Sequence, residues 1–123
     1  MGYQSFKDLR VWQGAKELSV EIYTLTSTGK FTKDFGLREQ IQRASISIPS
    51  NIAEGHERNS NKDFIRFLLI AKGSLSELRT QLEIAYEIGY IKKDKFESLN
   101  ENCNKLGAMM TNLIKARRNN VKH

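Results

Sequence analysis

The stretch FIRFLLIAKGSLSELRTQLEIA, residues 64–85, repeats apolar side chains at steps that alternate between four and three residues. The members of this stripe are Phe64, Leu68, Ala71, Leu75, Leu78, Leu82 and Ala85. An average step of roughly 3.5 residues places all of them along one face of an α-helix. Most of the charged and polar side chains of the stretch lie off this stripe, so it predicts a long amphipathic helix that buries one face against other helices.

Three further segments show helical periodicity and complete the predicted fold. Their apolar positions are Val11, Ala15, Leu18, Ile22 and Leu25 in the first, Leu37, Ile41, Ala44, Ile48 and Ile52 in the second, and Phe96, Leu99, Cys103, Leu106, Met110 and Leu113 in the last. Capping residues and the stop glycines Gly29, Gly55 and Gly89 then bound helices at about residues 6–27, 37–57, 61–89 and 94–118.

Short loops between these segments force consecutive helices to run antiparallel. The sequence therefore predicts an all-α, up-down-up-down antiparallel four-helix bundle with left-handed crossing. Residues 1–123 are expected to form this single domain, with a basic tail over residues 115–123.

Composition agrees with one compact cytoplasmic domain. The single cysteine, Cys103, excludes an intramolecular disulfide, and its place on an apolar helix face indicates a core residue and not a nucleophile. The longest apolar run is FLLIA at residues 67–71, far short of the ~20 residues that cross a bilayer. We therefore expect a soluble protein with no membrane partner.

The only proline of the chain lies inside the second predicted helix, in SIPSNIAEGHER at residues 47–58. Pro49 has no N–H for the carbonyl of Ser45, and its ring clashes with that carbonyl, so a kink is expected in helix 2. Ser45, Ser47, Ser50 or water could satisfy the freed carbonyl. We interpret the segment as a structural bend and not as a catalytic element.

A polar stripe follows the same helix and leaves two interpretations open. Its members are Arg43, Ser47, Asn51, Glu54 and Arg58. A carboxylate, an amide and two guanidinium groups in line could bind a ligand. Alternatively, Arg43 and Glu54 pair along and between helices.

A second apolar stripe on helix 1 lies roughly 120° around the helix from its buried face. It contains Leu9, Trp12, Val20 and Tyr23, and helix 2 adds Ile46 and Ala53 while helix 3 adds Ile65 and Leu69. Apolar surface on two faces indicates self-association or a partner, although scattered surface hydrophobes also occur on monomers. The candidate oligomer interface is Leu9, Trp12, Val20, Tyr23 and Ile46.

Motifs of a catalytic or metal centre are absent from the sequence. His56 and His123 are the only histidines, and no HExxH, CxxC or GxxxxGK occurs. His56 is interpreted as a solvated or capping residue. Gly14, Gly73 and Gly107 lie inside predicted helices, where close helix approach is the expected reason. We expect no enzymatic activity, no metal and no cofactor.

The formal net charge of +6 is concentrated toward the end of the chain. In the antiparallel bundle the loop after helix 1 meets the loop before helix 4, which brings together Lys30, Lys33, Lys92, Lys93 and Lys95. The opposite end carries Lys115, Arg117, Arg118 and Lys122, with Arg58 and Lys62 nearby. Such clusters suit the phosphate backbone of RNA or DNA, with weak dependence on base sequence and loss at high salt. A solvated, solubilising tail is the alternative.

Three segments carry a family resemblance: FKDLRVWQGAKELSVEIY, FGLREQIQRASISIPSNIAEG and FIRFLLIAKGSLSELRTQLEIAYEIGYI. Over about residues 5–114 the chain resembles the four-helix-bundle family named after the protein encoded in 23S rRNA intervening sequences. The marks of the resemblance are Leu9–Trp12, Gly73–Leu78 and the SIPxNIAEG segment with Pro49, Asn51, Glu54 and Gly55.

The resemblance implies a bundle that assembles into a homopentamer and has no established enzymatic activity. The family is also similar to the accessory variability determinant of diversity-generating retroelements, which implies a basic pentamer that works with nucleic acid. We therefore expect a homo-oligomer that binds RNA or DNA backbone. The alternative is a protein-interaction scaffold in which the polar stripe or the apolar stripes dock another protein.

Overall fold

The computed structural model describes residues 5–121. Two short 3-10 helices, Phe6–Asp8 and Gly29–Lys33, precede the first and second of four long α-helices. These are α1 (Arg10–Thr26), α2 (Phe35–Glu57), α3 (Asn61–Glu87) and α4 (Lys93–Val121). Each helix packs against the next one along the chain and α4 also packs against α1, so the predicted all-α four-helix bundle is confirmed.

The predicted apolar faces form the core of this bundle. Every member of the α3 stripe from Phe64 to Ala85 is buried. On α4 the buried face ends at Ile114 and not at the predicted Leu113, which is half-buried. A straight α-helix turns every ~3.6 residues, so a stripe with a strict seven-residue repeat drifts off the core side after several turns.

A buried loop residue, Phe31, closes one end of the bundle. It lies in the second 3-10 helix, is 1% exposed, and meets the ring of Tyr90 edge-on with 5.2 Å between ring centres. This contact fastens the loop between α1 and α2 to the segment between α3 and α4, as the antiparallel order requires. Phe31 lies outside every periodic segment, so the sequence pattern did not identify it.

The start of α3 and the glycines after α1 and α3 follow the predicted boundary chemistry, whereas α1 begins at Arg10, later than predicted and without a side-chain cap. The hydroxyl of Ser60 accepts a hydrogen bond from the N–H of Asp63 at 3.2 Å. Gly29 and Gly89 have positive φ angles of 62° and 86°, as expected of glycines that follow a helix. Asp34 accepts from the N–H of Leu37 at 3.1 Å, and α2 begins earlier than predicted because of this cap.

Gly55 has a different function from the predicted helix stop, because α2 continues beyond it. A β-carbon on Gly55 would lie 2.6 Å from the β-carbon of Phe67 on α3, which is too close for two such atoms. The prediction of close approach at the other helical glycines is wrong. A β-carbon would make ordinary contacts at 3.6 Å on Gly14 and 3.5 Å on Gly107, and would meet nothing within 4 Å on Gly73.

Candidate assembly groove and nucleic-acid interface

The second apolar stripe of helix 1 forms one wall of a groove of about 590 Å³ between α1 and α2. We call it the α1–α2 groove. Val20, Tyr23 and Ile46 on its sides are 59%, 39% and 46% exposed. Its lining consists of Trp12, Lys16, Ser19, Val20, Tyr23 and Thr24 from α1, and Ile46, Pro49, Ser50 and Ala53 from α2. The structure thus brings together four of the five residues predicted for the oligomer interface.

Leu9, the fifth predicted interface residue, lies elsewhere. It is half-buried against the core and lines a separate crevice with Met109 and Leu113 of α4. Leu9 comes just before α1, where the backbone is extended, so its side chain does not follow the helical stripe. Trp12 is half-buried, and its ring meets Phe6 edge-on with 5.2 Å between centres.

A hydrogen bond between helices satisfies the carbonyl that Pro49 leaves without its helical donor. The hydroxyl of Ser19 on α1 lies 2.7 Å from the carbonyl oxygen of Ser45 on α2 and 3.2 Å from that of Ala15. Ser19 and Ser45 are both buried. The sequence pointed to serines of helix 2 or to water, whereas the donor comes from the neighbouring helix. The secondary structure of α2 is continuous through Pro49, and the kink stays a prediction.

The polar stripe of α2 makes its hydrogen bonds inside the protein. The side-chain amide of Asn51 donates to the carbonyl and the hydroxyl of Ser47, at 2.8 and 3.0 Å. The Ser47 hydroxyl lies 2.9 Å from that of Ser74 on α3. Glu54 pairs with Arg58 at 3.0 Å. These contacts favour the structural interpretation of Ser47, Asn51, Glu54 and Arg58 over a ligand site. Arg43 is exposed and, within residues 5–121, forms no ion pair, so the pairing predicted for it is absent.

Four of the predicted lysines gather at one end of the bundle, which we call the lysine end. The Phe31–Tyr90 contact and a 2.9 Å hydrogen bond from the Tyr90 hydroxyl to Asp34 hold its two loops together. The exposed lysines of this end are Lys30, Lys33, Lys92 and Lys93. Within residues 5–121, none of the four takes part in an ion pair.

Lys95 differs from these four because its charge is already compensated. Its ammonium lies 2.7 Å from the carboxylate of Glu21 on α1. Asn102 of α4 also donates to this carboxylate, at 3.4 Å. The sequence placed Lys95 in the lysine cluster, but its side chain is used to join α4 to α1.

The opposite end carries the basic part of α4. The guanidinium of Arg117 donates to the side-chain oxygen of Asn61 at 2.9 Å and lies 4.9 Å from the centre of the Phe64 ring. Arg117 is thereby held against the start of α3, while Lys115 and Arg118 are exposed. Lys122 and His123, which the sequence placed in the basic tail, lie outside the described residues.

Cys103 lies inside the bundle and His56 lies at its edge. Cys103 is buried, and this burial raises the pKa of its thiol to about 11, as expected for a core cysteine. His56 is half-buried and its ring meets Phe64 edge-on. The imidazole is therefore packed against α3, whereas the sequence predicted a solvated or capping residue. Among residues 5–121, no three or more His, Cys, Asp or Glu side chains gather as metal ligands. Within the same residues, no helix has the length and apolar character that a membrane span requires.

Comparisons with known proteins agree over the helical region. A family model described as 23S rRNA-intervening sequence protein matches residues 7–112. A crystal structure of a protein of unknown function from the S23 ribosomal protein family of Bacteroides thetaiotaomicron matches with a TM-score of 0.79. The two sequences are 29% identical over 85% of this chain and 95% of that chain. No curated protein matches the chain significantly.

Proposed function

The chain belongs to the 23S rRNA-intervening sequence protein family, and from this premise we propose that it is a non-enzymatic, self-assembling module that binds the phosphate backbone of RNA or DNA. The lysine end supplies the binding surface and the α1–α2 groove supplies the assembly surface. The assembly is a homopentamer, as the resemblance of the sequence implies.

The observation that carries the binding proposal is the set of four exposed, unpaired lysines at the lysine end. An ammonium group without a carboxylate partner keeps its full attraction for a phosphate, and its binding releases counterions from the nucleic acid. Lysine offers a point charge and no fixed pattern for base edges. Each further copy in an assembly adds four more lysines, so weak contacts combine into stronger binding.

The test is fluorescence anisotropy with labelled single-stranded RNA and duplex DNA of unrelated sequences, between ~50 and ~200 mM salt. We expect binding at low salt, with a steep linear fall of log affinity against log salt. The Lys92→Gln/Lys93→Gln variant should weaken binding and reduce the slope by ~1–2.

A matched control keeps the change in charge and moves its position. Lys7→Gln/Lys62→Gln removes two exposed lysines outside the lysine end that, within residues 5–121, form no ion pair, and its slope should stay near that of the wild-type protein. Equal losses in both double variants would contradict a localised site. No binding to either nucleic acid at low salt would contradict the proposal as a whole.

The alternative function, a protein-interaction scaffold, is favoured by the apolar lining of the α1–α2 groove. A scaffold of this kind would bind neither RNA nor DNA at low salt. Its affinity for a protein partner would fall on substitution of Val20 in the groove and stay unchanged on substitution of Lys92.

A further inference from the structure

The outward side of α3 carries two pairs of exposed apolar side chains with a carboxylate between the pairs. Ile70, Glu77 and Ile84 are seven residues apart, so they lie along one line of the helix. Ile88 continues this line at the end of α3, and Leu69 lies ~100° around the helix from Ile70. The four apolar residues are between 45% and 49% exposed. We call this surface of Leu69, Ile70, Glu77, Ile84 and Ile88 the α3 face.

The α1–α2 groove has the complementary arrangement, with a cation between apolar side chains. Lys16 lines the groove one turn after Trp12 and one turn before Val20. Lys16 and Glu77 are both exposed. Neither forms an ion pair with another residue of the described chain. Among the described residues each is a charge without an opposite partner; Lys16 lies one turn from Trp12 and from Val20, and Glu77 lies two turns from Ile70 and from Ile84.

The central part of the α3 face is comparable in length to the groove. With a rise of ~1.5 Å per residue, the groove wall from Trp12 to Thr24 is ~18 Å long, the line from Ile70 to Ile84 is ~21 Å long, and the whole face from Leu69 to Ile88 is ~28 Å long. The groove is a depression between two helices, and the α3 face is the convex side of one helix. A single helix packed into a groove between two others is a common way to bury both surfaces.

We propose that the α1–α2 groove binds the α3 face of a second copy of this chain, with Lys16 paired to Glu77 across the contact. This inference rests on the proposed self-assembly and names the surface that fills the groove. Groove and face belong to different helices, so the contact is heterologous and each copy offers one of each. A heterologous contact closes into a ring where the rotation between copies closes, and in the proposed homopentamer such a ring covers every groove.

A contact between two grooves is disfavoured by charge. The residues that line the groove include Lys16 and no Asp or Glu. A symmetric contact would bring two Lys16 ammonium groups into one apolar interface without a compensating carboxylate, which costs free energy. The α3 face supplies that carboxylate at its centre.

Two variants that complement each other test the proposal by size exclusion with light scattering. Val20→Asp places a charge in the groove, and Ile84→Asp places one in the α3 face; both positions are exposed, so the core is unchanged. We expect each variant alone to lose the wild-type assembly. An equimolar mixture has one intact groove and one intact face per pair, so it should form a heterodimer near twice 14.1 kDa and nothing larger.

Phe35→Asp is the matched control, since Phe35 is 67% exposed and lies outside both surfaces; it should assemble as the wild-type protein does. Wild-type assembly by Ile84→Asp would overturn the proposal and leave the groove to another partner. A mixture of the two variants that stays monomeric at high protein concentration would also overturn it.

A charge exchange tests the Lys16–Glu77 pair. Lys16→Glu and Glu77→Lys should each raise the dissociation constant of the assembly ~10-fold, and the double variant should return to within ~3-fold of the wild-type value. A double variant weaker than either single variant would overturn the proposed pairing.

RNA binding by the wild-type protein separates this inference from the proposed function. Assembly that responds to Val20→Asp and Ile84→Asp without any RNA or DNA binding supports the inference and contradicts the binding function. If the wild-type protein binds RNA and the Ile84→Asp variant still assembles as the wild-type protein does, the inference is contradicted and the proposed binding function is not.

Discussion

At Gly55 the absence of one methyl group sets how closely α2 and α3 can pack. A β-carbon there would lie 2.6 Å from the β-carbon of Phe67 and 3.1 Å from a ring carbon of Phe64. Both phenylalanines are buried, so neither has free space into which to move. The sequence located Gly55 within the SIPxNIAEG segment, but its reason depends on side chains of another helix.

Gly55→Ala is expected to lower the free energy of unfolding by ~1–3 kcal/mol through overpacking. Gly14→Ala is the control, because a β-carbon there makes an ordinary contact at 3.6 Å. It should raise stability by ~0.5–1 kcal/mol, since alanine favours the helix. Urea denaturation followed by circular dichroism measures both, and a Gly55→Ala variant as stable as the wild-type protein would contradict the packing argument.

The contribution of Ser19 to the free energy of unfolding is expected to depend on the proline at position 49. Ser19→Ala leaves the buried carbonyl of Ser45 without its donor and should cost ~1–3 kcal/mol of unfolding free energy. In a Pro49→Ala background the new N–H can donate to Ser45, so Ser19→Ala should cost less. A double-mutant cycle of urea transitions measures this coupling, and equal costs in both backgrounds would refute it.

At the scale of elements, Asp34 joins the start of α2 to the segment before α4. One carboxylate oxygen accepts from the N–H of Leu37 at 3.1 Å and the other accepts from the hydroxyl of Tyr90 at 2.9 Å. The hydrogen bond to Asp34 raises the pKa of Tyr90 above its ordinary value of 10.0, because the phenol must keep its proton to donate.

The raised pKa of Tyr90 predicts how the stabilisation by the Tyr90–Asp34 hydrogen bond changes at high pH. A group whose folded-state pKa is raised stabilises the fold below its ordinary pKa, and this stabilisation is lost as pH rises through the folded value. The wild-type protein should exceed Tyr90→Phe in stability at neutral pH, by a margin that narrows above pH 10.0. Urea transitions at a series of pH values measure the margin. A stability margin for Tyr90→Phe that stays constant across pH 10.0 would contradict the assignment.

The helices and their buried faces were predictable because each helix must repeat its apolar residues at its own period. Features that depend on two elements were not predictable in this way. Phe31 is buried because a neighbouring loop covers it, and no period marks a single loop residue. The end of the α4 face at Ile114 depends on how far a real helix drifts from a strict heptad.

At the scale of the whole molecule, the distribution of charge between the two ends was predictable from the antiparallel order alone. The pairing of individual charges was not. Lys95 and Glu21 are 74 residues apart, and Arg117 and Asn61 are 56 residues apart, so no local pattern connects them. The apolar stripe of helix 1 predicted one wall of the α1–α2 groove, but it did not predict that Lys16 lines the same groove.

The chain contains a single tryptophan, and Trp12 lines the α1–α2 groove. Indole emission shifts to shorter wavelength when water is removed from the ring, so the native fluorescence of the protein reports whether the groove is covered. Dilution that separates subunits should shift the emission to longer wavelength, without any attached dye. The fluorescence of Trp12 can therefore be used to follow assembly at the surface where it is proposed to occur.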